Sequence, residues 1–249
     1  MSLSIIMPVL NEAPNIVAAL EALRPLRARG AEIIVADGGS ADGTVALARP
    51  LADFVIASAR GRATQMNAGA GLARGDVLMF LHADTRLPPD ADRHVLEGLA
   101  RSGRAWGRFD VAIDGEQALL RIIAAAMSLR SRLTGITTGD QAMFATRQAF
   151  DAVGGFPEIA LMEDITLARH LKRISPPLSL RARVTTSGRR WERRGVVRTM
   201  VLMWRLRLAY FFGAAPDALA LRYGDQPGPS GSPAAQAGGG QRSSPDAGP

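Results

Sequence analysis

Glu32-Ile33-Ile34-Val35-Ala36-Asp37-Gly38-Gly39-Ser40-Ala41-Asp42-Gly43-Thr44 is the stretch on which the fold turns. Residues 32–36 form a short, continuous apolar run rich in β-branched side chains, the pattern of a strand buried on both faces. The run breaks into Asp, Gly and Ser, which favour tight turns, and 44–51 then reads as a short helix. Toward the N-terminus, 3–7 is a second strand and 13–29 a helix. In the other direction, 54–57 and 77–81 are strands, with a helix over 63–73 between them. This βαβα alternation predicts an α/β fold with a mainly parallel central sheet flanked by helices.

In such a sheet, ligands sit beyond the carboxyl ends of the strands. Three polar segments fall there: Pro8-Val9-Leu10-Asn11-Glu12, the turn from Asp37 to Thr44, and His82-Ala83-Asp84-Thr85. Past residue 100 the pattern loosens. A strand over 106–113, a helix over 116–133, a polar loop over 134–140, a strand over 141–146 and a helix over 163–174 are expected. A last helix follows Gly195, with Val197, Val201, Trp204, Leu208 and Phe211 on one face and Arg194, Arg198 and Arg205 on another. That apolar stripe reads as core-facing; a peripheral seat at a membrane interface is the alternative. From residue 224 onward Gly, Pro, Ser, Ala and Gln dominate, so 224–249 is expected to be a disordered tail and 1–223 a single domain.

The formal net charge is +7, carried almost wholly by arginine, with Lys172 the one lysine. Such a balance favours anionic partners, but an aromatic content of 5% leaves few stacking platforms for nucleic acid. Cysteine is absent, which excludes disulfides and thiolate metal sites and suits a reducing compartment. The N-terminal residues lack a basic region followed by an apolar run. Arginines interrupt both apolar segments, 118–129 and 196–212, so neither is expected to span a bilayer. A cytoplasmic protein is expected, with peripheral contact at the inner membrane face left open.

Each polar segment has a chemical and a structural reading. Asp37 can accept from a base or ribose donor, or simply close a turn. Asp84 can bind a hard divalent cation that neutralises a diphosphate, with His82 beside it if the backbone is extended; capping is the alternative. Glu163 and Asp164 suit a helix N-terminus through the macrodipole, and equally suit general-base work. The run from Arg189 to Arg194 can grip phosphate, with Trp191 stacking on a sugar, or form a solvated basic loop.

The order and spacing of these segments, together with Asn67-Ala68-Gly69, resemble glycosyltransferase family 2 over residues 2–223. The resemblance implies a GT-A, Rossmann-like single domain, a nucleotide-sugar donor and inversion at the anomeric carbon. It implies that Pro8, Asn11, Glu12 and Asp37 contact the nucleoside, with Asp37 meeting the base, and that Arg62 and Asn67 line the donor pocket. Asp84 matches the final aspartate of the family's Asp-x-Asp motif for Mg or Mn, with His82 in the first position. Asp164 matches the general base, and Arg190-Trp191 the end of its Gln-x-x-Arg-Trp element.

Three positions depart from the pattern. Gly38 replaces an aspartate, His82 replaces another, and Ser187 stands where a processive synthase has glutamine. The stretches 61–67, 81–85 and 190–192 further resemble a small bacterial branch labelled arsenosugar-biosynthesis-associated. The expected function is inverting transfer from a UDP-sugar to a small-molecule acceptor. Transfer to a polyprenyl phosphate at a membrane surface and a degenerate nucleotide-binding module are the alternatives. Asp37, Asp84 and Asp164 are expected to meet at one rim.

Overall fold

The computed structural model describes residues 1–115, 117–189 and 195–223. Arg190, Trp191 and the expected tail at 224–249 lie outside the described residues.

The N-terminal half follows the alternation read from the sequence. Strands β1 (Leu3–Val9), β2 (Glu32–Asp37), β3 (Phe54–Ala57) and β4 (Val77–Phe80) are joined through helices α1 (Ala13–Ala28), α2 (Thr44–Ala48) and α3 (Arg62–Leu72). All four strands pair in parallel. β1 runs two residues beyond the expected strand, so Pro8 lies opposite Ala36 in the sheet rather than in the loop.

The chain continues through a two-residue strand β5 (Thr85–Arg86), α4 (Ala91–Ser102), β6 (Trp106–Asp114), α5 (Ala118–Thr134), a single 3-10 turn at Gly139–Gln141, β7 (Phe144–Thr146) and α6 (Arg147–Ala152). It ends in α7 (Glu163–Leu171), β8 (Leu178–Ser187), α8 (Val196–Phe211) and α9 (Pro216–Tyr223). One eight-stranded sheet results, in the order β3-β2-β1-β4-β7-β6-β8-β5. β7 is antiparallel to both β4 and β6, and β5 is antiparallel to β8, whereas β6 and β8 are parallel.

Side-chain alternation along β1 divides the core in two. Ile5, Met7 and Val9 pack with α1, α4 and α5, while Ile6 packs with α3, α6 and α7 on the opposite face. A smaller cluster joins α7, α8 and α9 through Ile165, Leu206 and Leu219.

Helix α8 corrects the sequence reading. Its buried residues are Val196, Thr199 and Leu206, whereas the expected core stripe faces outward, with Trp204 70% and Phe211 69% exposed. Leu206 meets the small α7–α9 cluster, and that contact turns the apolar seam away from the domain. No helix among the described residues is long and apolar enough to cross a membrane.

Candidate active site

The loops after β1 and β2 are laced together. Asn11, at φ +54, donates its N–H to Ser40 Oγ (2.8 Å) and accepts from Ala41 N–H at Oδ1 (2.9 Å). Glu12 N–H reaches Thr44 Oγ1 (2.8 Å), and Glu12 Oε2 accepts from the Asn15 amide (2.6 Å). Asp42 accepts from Ala13 N–H (3.0 Å), so it caps α1, the preceding helix, as well as bonding within its own turn. Bonds from Thr44 and Ala13 hold its carboxyl below the ordinary carboxylate range.

Asp37 is buried, and its carboxylate accepts from Gly39 N–H and Ser40 N–H at 3.0 Å and from the Ser40 hydroxyl. Its two oxygens thus organise the turn. Beneath it, buried Gln65 of α3 donates to Val9 O and Ala36 O, both at 2.8 Å, joining the ends of β1 and β2. A Cβ at Gly38 would stand 2.9 Å from Gln65 Cδ. The glycine that departs from the family turn therefore makes room for Gln65.

Asn67 has both ends of its amide engaged. Nδ2 donates to Phe156 O (2.8 Å) and Oδ1 accepts from Phe156 N–H (2.9 Å). It clamps α3 to the loop before α7. Of the two residues expected to line a donor pocket, only Arg62 lines the Asp164 cavity, with its Nε 3.2 Å from Glu163 Oε1.

The segment after β4 also differs from expectation. His82 to Asp84 is a turn, closed by Thr85 N–H to His82 O (3.0 Å), and not extended backbone. The two side chains consequently diverge. Asp84 lines a cleft of about 430 Å³ with Asn15, Asp114 and Arg189, and Arg189 donates to Asn15 Oδ1 at 2.6 Å. His82 turns to the second cavity, where its Nδ1 is 3.9 Å from Asp140 Oδ1 and its ring closes on Gly139. A Cβ at Gly139 would stand 2.5 Å from His82 Cε1.

That second cavity contains Asp164. One oxygen accepts from Gly139 N–H at 2.7 Å and the other from Ile165 N–H at 2.7 Å, which fixes the carboxylate at the N-terminus of α7. Arg62, His82, Asp140, Met203, Arg207 and Tyr223 are among the other residues that line it. Asp140, which sequence reasoning passed over as one acid in a polar loop, stands between the two halves of the site. Desolvation raises its carboxyl above the ordinary range; His82 opposes that shift, and Asp84 and Asp164 add to it as like charges. Asp37, Asp84 and Asp164 therefore do not share one rim: Asp37 is buried under its loop, and the other two flank Asp140.

Among the described residues, no group of three or more His, Asp or Glu is gathered closely enough to hold a metal unaided. Mg²⁺ is usually held by one or two carboxylates together with substrate phosphates. Asp84 and Asp140, with mutual repulsion that a cation would relieve, fit that donor set.

A family model for glycosyl transferase family 2 matches residues 4–153. The succinoglycan biosynthesis protein ExoA of Rhizobium meliloti (strain 1021) is 37% identical over 108 residues, 40% of this chain and 33% of that protein. Among solved structures, the mannosyltransferase PcManGT of Pyrobaculum calidifontis, in complex with GDP-Man and Mn²⁺, superposes with a TM-score of 0.62. It is 21% identical, and the match covers 90% of this chain and 65% of that one. The 1–349 fragment of S. aureus TarS, in complex with UDP-GlcNAc, gives a TM-score of 0.60 at 15% identity, over 75% of this chain and 58% of that one. Glucosyl-3-phosphoglycerate synthase of Mycobacterium tuberculosis, with Mn²⁺, UDP and glucosyl-3-phosphoglycerate, gives 0.54 at 19% identity, over 74% and 70% of the two chains. The chain thus spans a third of ExoA and under two thirds of the TarS fragment, and it shares the GT-A fold of these structures.

Proposed function

Because the chain belongs to glycosyltransferase family 2, we propose that it transfers a glycosyl group from a nucleoside-diphosphate sugar, with Asp164 as general base. The observation that carries this reading is the fixed Asp164 carboxylate. Gly139 N–H and Ile165 N–H take one lone pair on each oxygen, and a carboxylate keeps further acceptor sites for an incoming hydroxyl.

The step is a single displacement with inversion. The acceptor oxygen bonds to the anomeric carbon, the bond from that carbon to the β-phosphate oxygen breaks, and the hydroxyl proton passes to Asp164. The nucleoside diphosphate departs on the opposite face. Asp84 and Asp140, with His82 nearby, would hold a Mg²⁺ or Mn²⁺ ion that neutralises the leaving diphosphate. Arg62, positioned by Glu163, supplies fixed positive charge at the same cavity. The laced loops around Asn11, Asp37 and Ser40 present the nucleoside surface as a rigid unit, so little ordering is left for the moment of binding.

A uridine donor is the reading carried forward for the nucleotide: TarS and the mycobacterial synthase were solved with UDP-bearing ligands, and the GDP-Man of PcManGT makes a guanosine donor the competing arm of the panel. The likeness to the arsenosugar-labelled branch rests partly on 61–67, where Gln65 and Asn67 bond to backbone groups. It supports a shared loop architecture, and an arsenical acceptor is one arm of an acceptor panel. The degenerate-module alternative is disfavoured because the Asp164 carboxylate is held in place and open to a cavity.

A thermal-shift panel of nucleotide sugars with and without Mn²⁺ tests the donor. A true donor at 100 times its dissociation constant stabilises by about 2.7 kcal/mol. UDP-sugars are expected to stand out, with the shift enlarged by Mn²⁺; a flat panel would remove the donor reading.

A further inference from the structure

Among the described residues, Arg108, Arg130 and Arg207 each have a buried guanidinium N–H without a partner. Arg108 is otherwise tied to Asp110, Phe109 O and Ser128 O inside the core, whereas Arg130 and Arg207 border an open groove. Arg130, on α5, donates through Nη1 to Ile136 O at 3.4 Å, while its Nε and Nη2 are buried without a hydrogen-bond partner. Arg207, on α8, has its Nε in the same condition. Burial first, then the charge of Arg207, pulls Arg130 down to about 10, so it still carries its proton at neutral pH. A buried N–H left unpaired costs about 1–3 kcal/mol, and more on a charged group. Paired, half-buried arginines with orphan donors are the expected apo state of an anion site, because a phosphate supplies the missing acceptors in the fork geometry that guanidinium favours.

The placement says what else the anion carries. Arg207 lines the Asp164 cavity and also a groove of about 710 Å³ that Arg130 shares. Apart from arginines, that groove is lined by Met200, Val201, Trp204, Leu208 and Phe211. An apolar trough, the arginine pair and the catalytic carboxylate thus follow one another.

The outer face is of the same character. Ile122, Leu129 and Leu133 of α5 are 58–77% exposed, as are Trp204 and Phe211 of α8. Neither helix contains an acidic residue, while α5 carries Arg121, Arg130 and Arg132 and α8 carries Arg198, Arg205 and Arg207. A second copy docked on this face would set arginine against arginine. A bilayer with anionic headgroups offers the complement in both apolarity and sign.

We propose that Arg130 and Arg207 bind a phosphate group of the acceptor, and that this acceptor is a phosphate-bearing lipid. Its apolar chain lies in the groove, its phosphate sits at the arginines, and its hydroxyl-bearing head reaches Asp164 while the α5 and α8 faces rest on the membrane. The phosphate is an anchor; the nucleophile is the head-group hydroxyl, and the bonds made and broken are those of the displacement above. The head-group placement rests on the glycosyl-transfer reading, whereas the lipid-phosphate site does not. Of the two acceptors read from the sequence, a small molecule and a polyprenyl phosphate, such a lipid is nearer the second.

Flotation of the full chain with phosphatidylcholine vesicles, with and without phosphatidic acid, tests the site without needing turnover. Binding is expected only with phosphatidic acid, weakened at least tenfold in the Arg130→Gln/Arg207→Gln variant, with the UDP-induced thermal shift retained. Trp204→Ser, an exposed change with little effect on folding, is expected to weaken flotation as well. Equal flotation on both vesicle types, or variants that float like the wild type, would overturn the proposal. Glycerol 3-phosphate competing as strongly as phosphatidic acid would overturn the lipid part, as would a stable dimer that masks Trp204. A wild type that floats as expected but shows no UDP shift would support the lipid site while removing the glycosyl-transfer reading.

Discussion

The loops after β1 and β2 and the face of α5 and α8 treat their polar groups in opposite ways. In the first region Asn11, Asp37, Ser40, Asp42 and Gln65 are all partnered with one another or with backbone. In the second, Arg130 and Arg207 hold buried N–H groups with no partner, beside apolar side chains left in solvent. Satisfied polar groups build a scaffold, while unsatisfied ones beside a cavity mark where something else completes the structure. On the proposed reading, the donor side is preformed and the acceptor side is completed by its ligand.

The contrast breaks most sharply at Gln65. Gln65→Leu keeps the volume but removes both amide bonds. Val9 O still accepts from Gly38 N–H while Ala36 O loses its bond from the amide, so a loss of about 2 kcal/mol is expected in denaturant unfolding. A loss below about 1 kcal/mol would mean that water replaces the amide and the donor scaffold is less closed than described. Asn67→Ala removes the clamp on Phe156 and is expected to cost about 1–2 kcal/mol by the same reasoning. On the other region, Trp204→Ser or Phe211→Ser should leave stability within about 0.5 kcal/mol of wild type, as surface changes do. A large loss there would show that the stripe packs against something in the folded chain.

Asp140 sharpens the comparison through pH. Its carboxyl is raised in the folded protein, so the native state binds more protons than the unfolded chain once pH exceeds about 4, the unfolded value for aspartate. Stability contributed by this group therefore falls as pH rises from there through the folded value, and stays lowered above it. Asp140→Asn is expected to raise Tm slightly at pH 7, with the gain vanishing below about pH 4. A variant with the wild-type pH profile would take Asp140 out of the charged cluster.

The parts of this molecule legible in the sequence are those set by short-range pattern. The continuous apolar runs of β1, β2 and β4 gave their burial away because parallel strands are covered on both faces. The polar segments after them fell at the sheet's carboxyl edge for the same topological reason. What was hidden depends on tertiary approach. β8, with Arg181 and Arg183 interrupting its pattern, is a strand because β6 pairs with it in parallel from far along the chain. The turn at His82–Asp84 defeats an argument from spacing in extended chain. Asp140 gains meaning only from His82, Asp84, Asp164 and Arg207 around it, and Arg130 and Arg207 only from each other. The α8 stripe was seen correctly as apolar, but its direction is decided by Leu206, which anchors the opposite face.

Donor affinity and turnover of Asp164→Asn, measured side by side on the full chain, probe the catalytic assignment most directly. The asparagine keeps an oxygen for Gly139 N–H but cannot take a proton, so the nucleotide dissociation constant should stay within about twofold while turnover falls by roughly 10² or more. Turnover at the wild-type rate, with donor binding intact, would contradict the role given to this carboxylate.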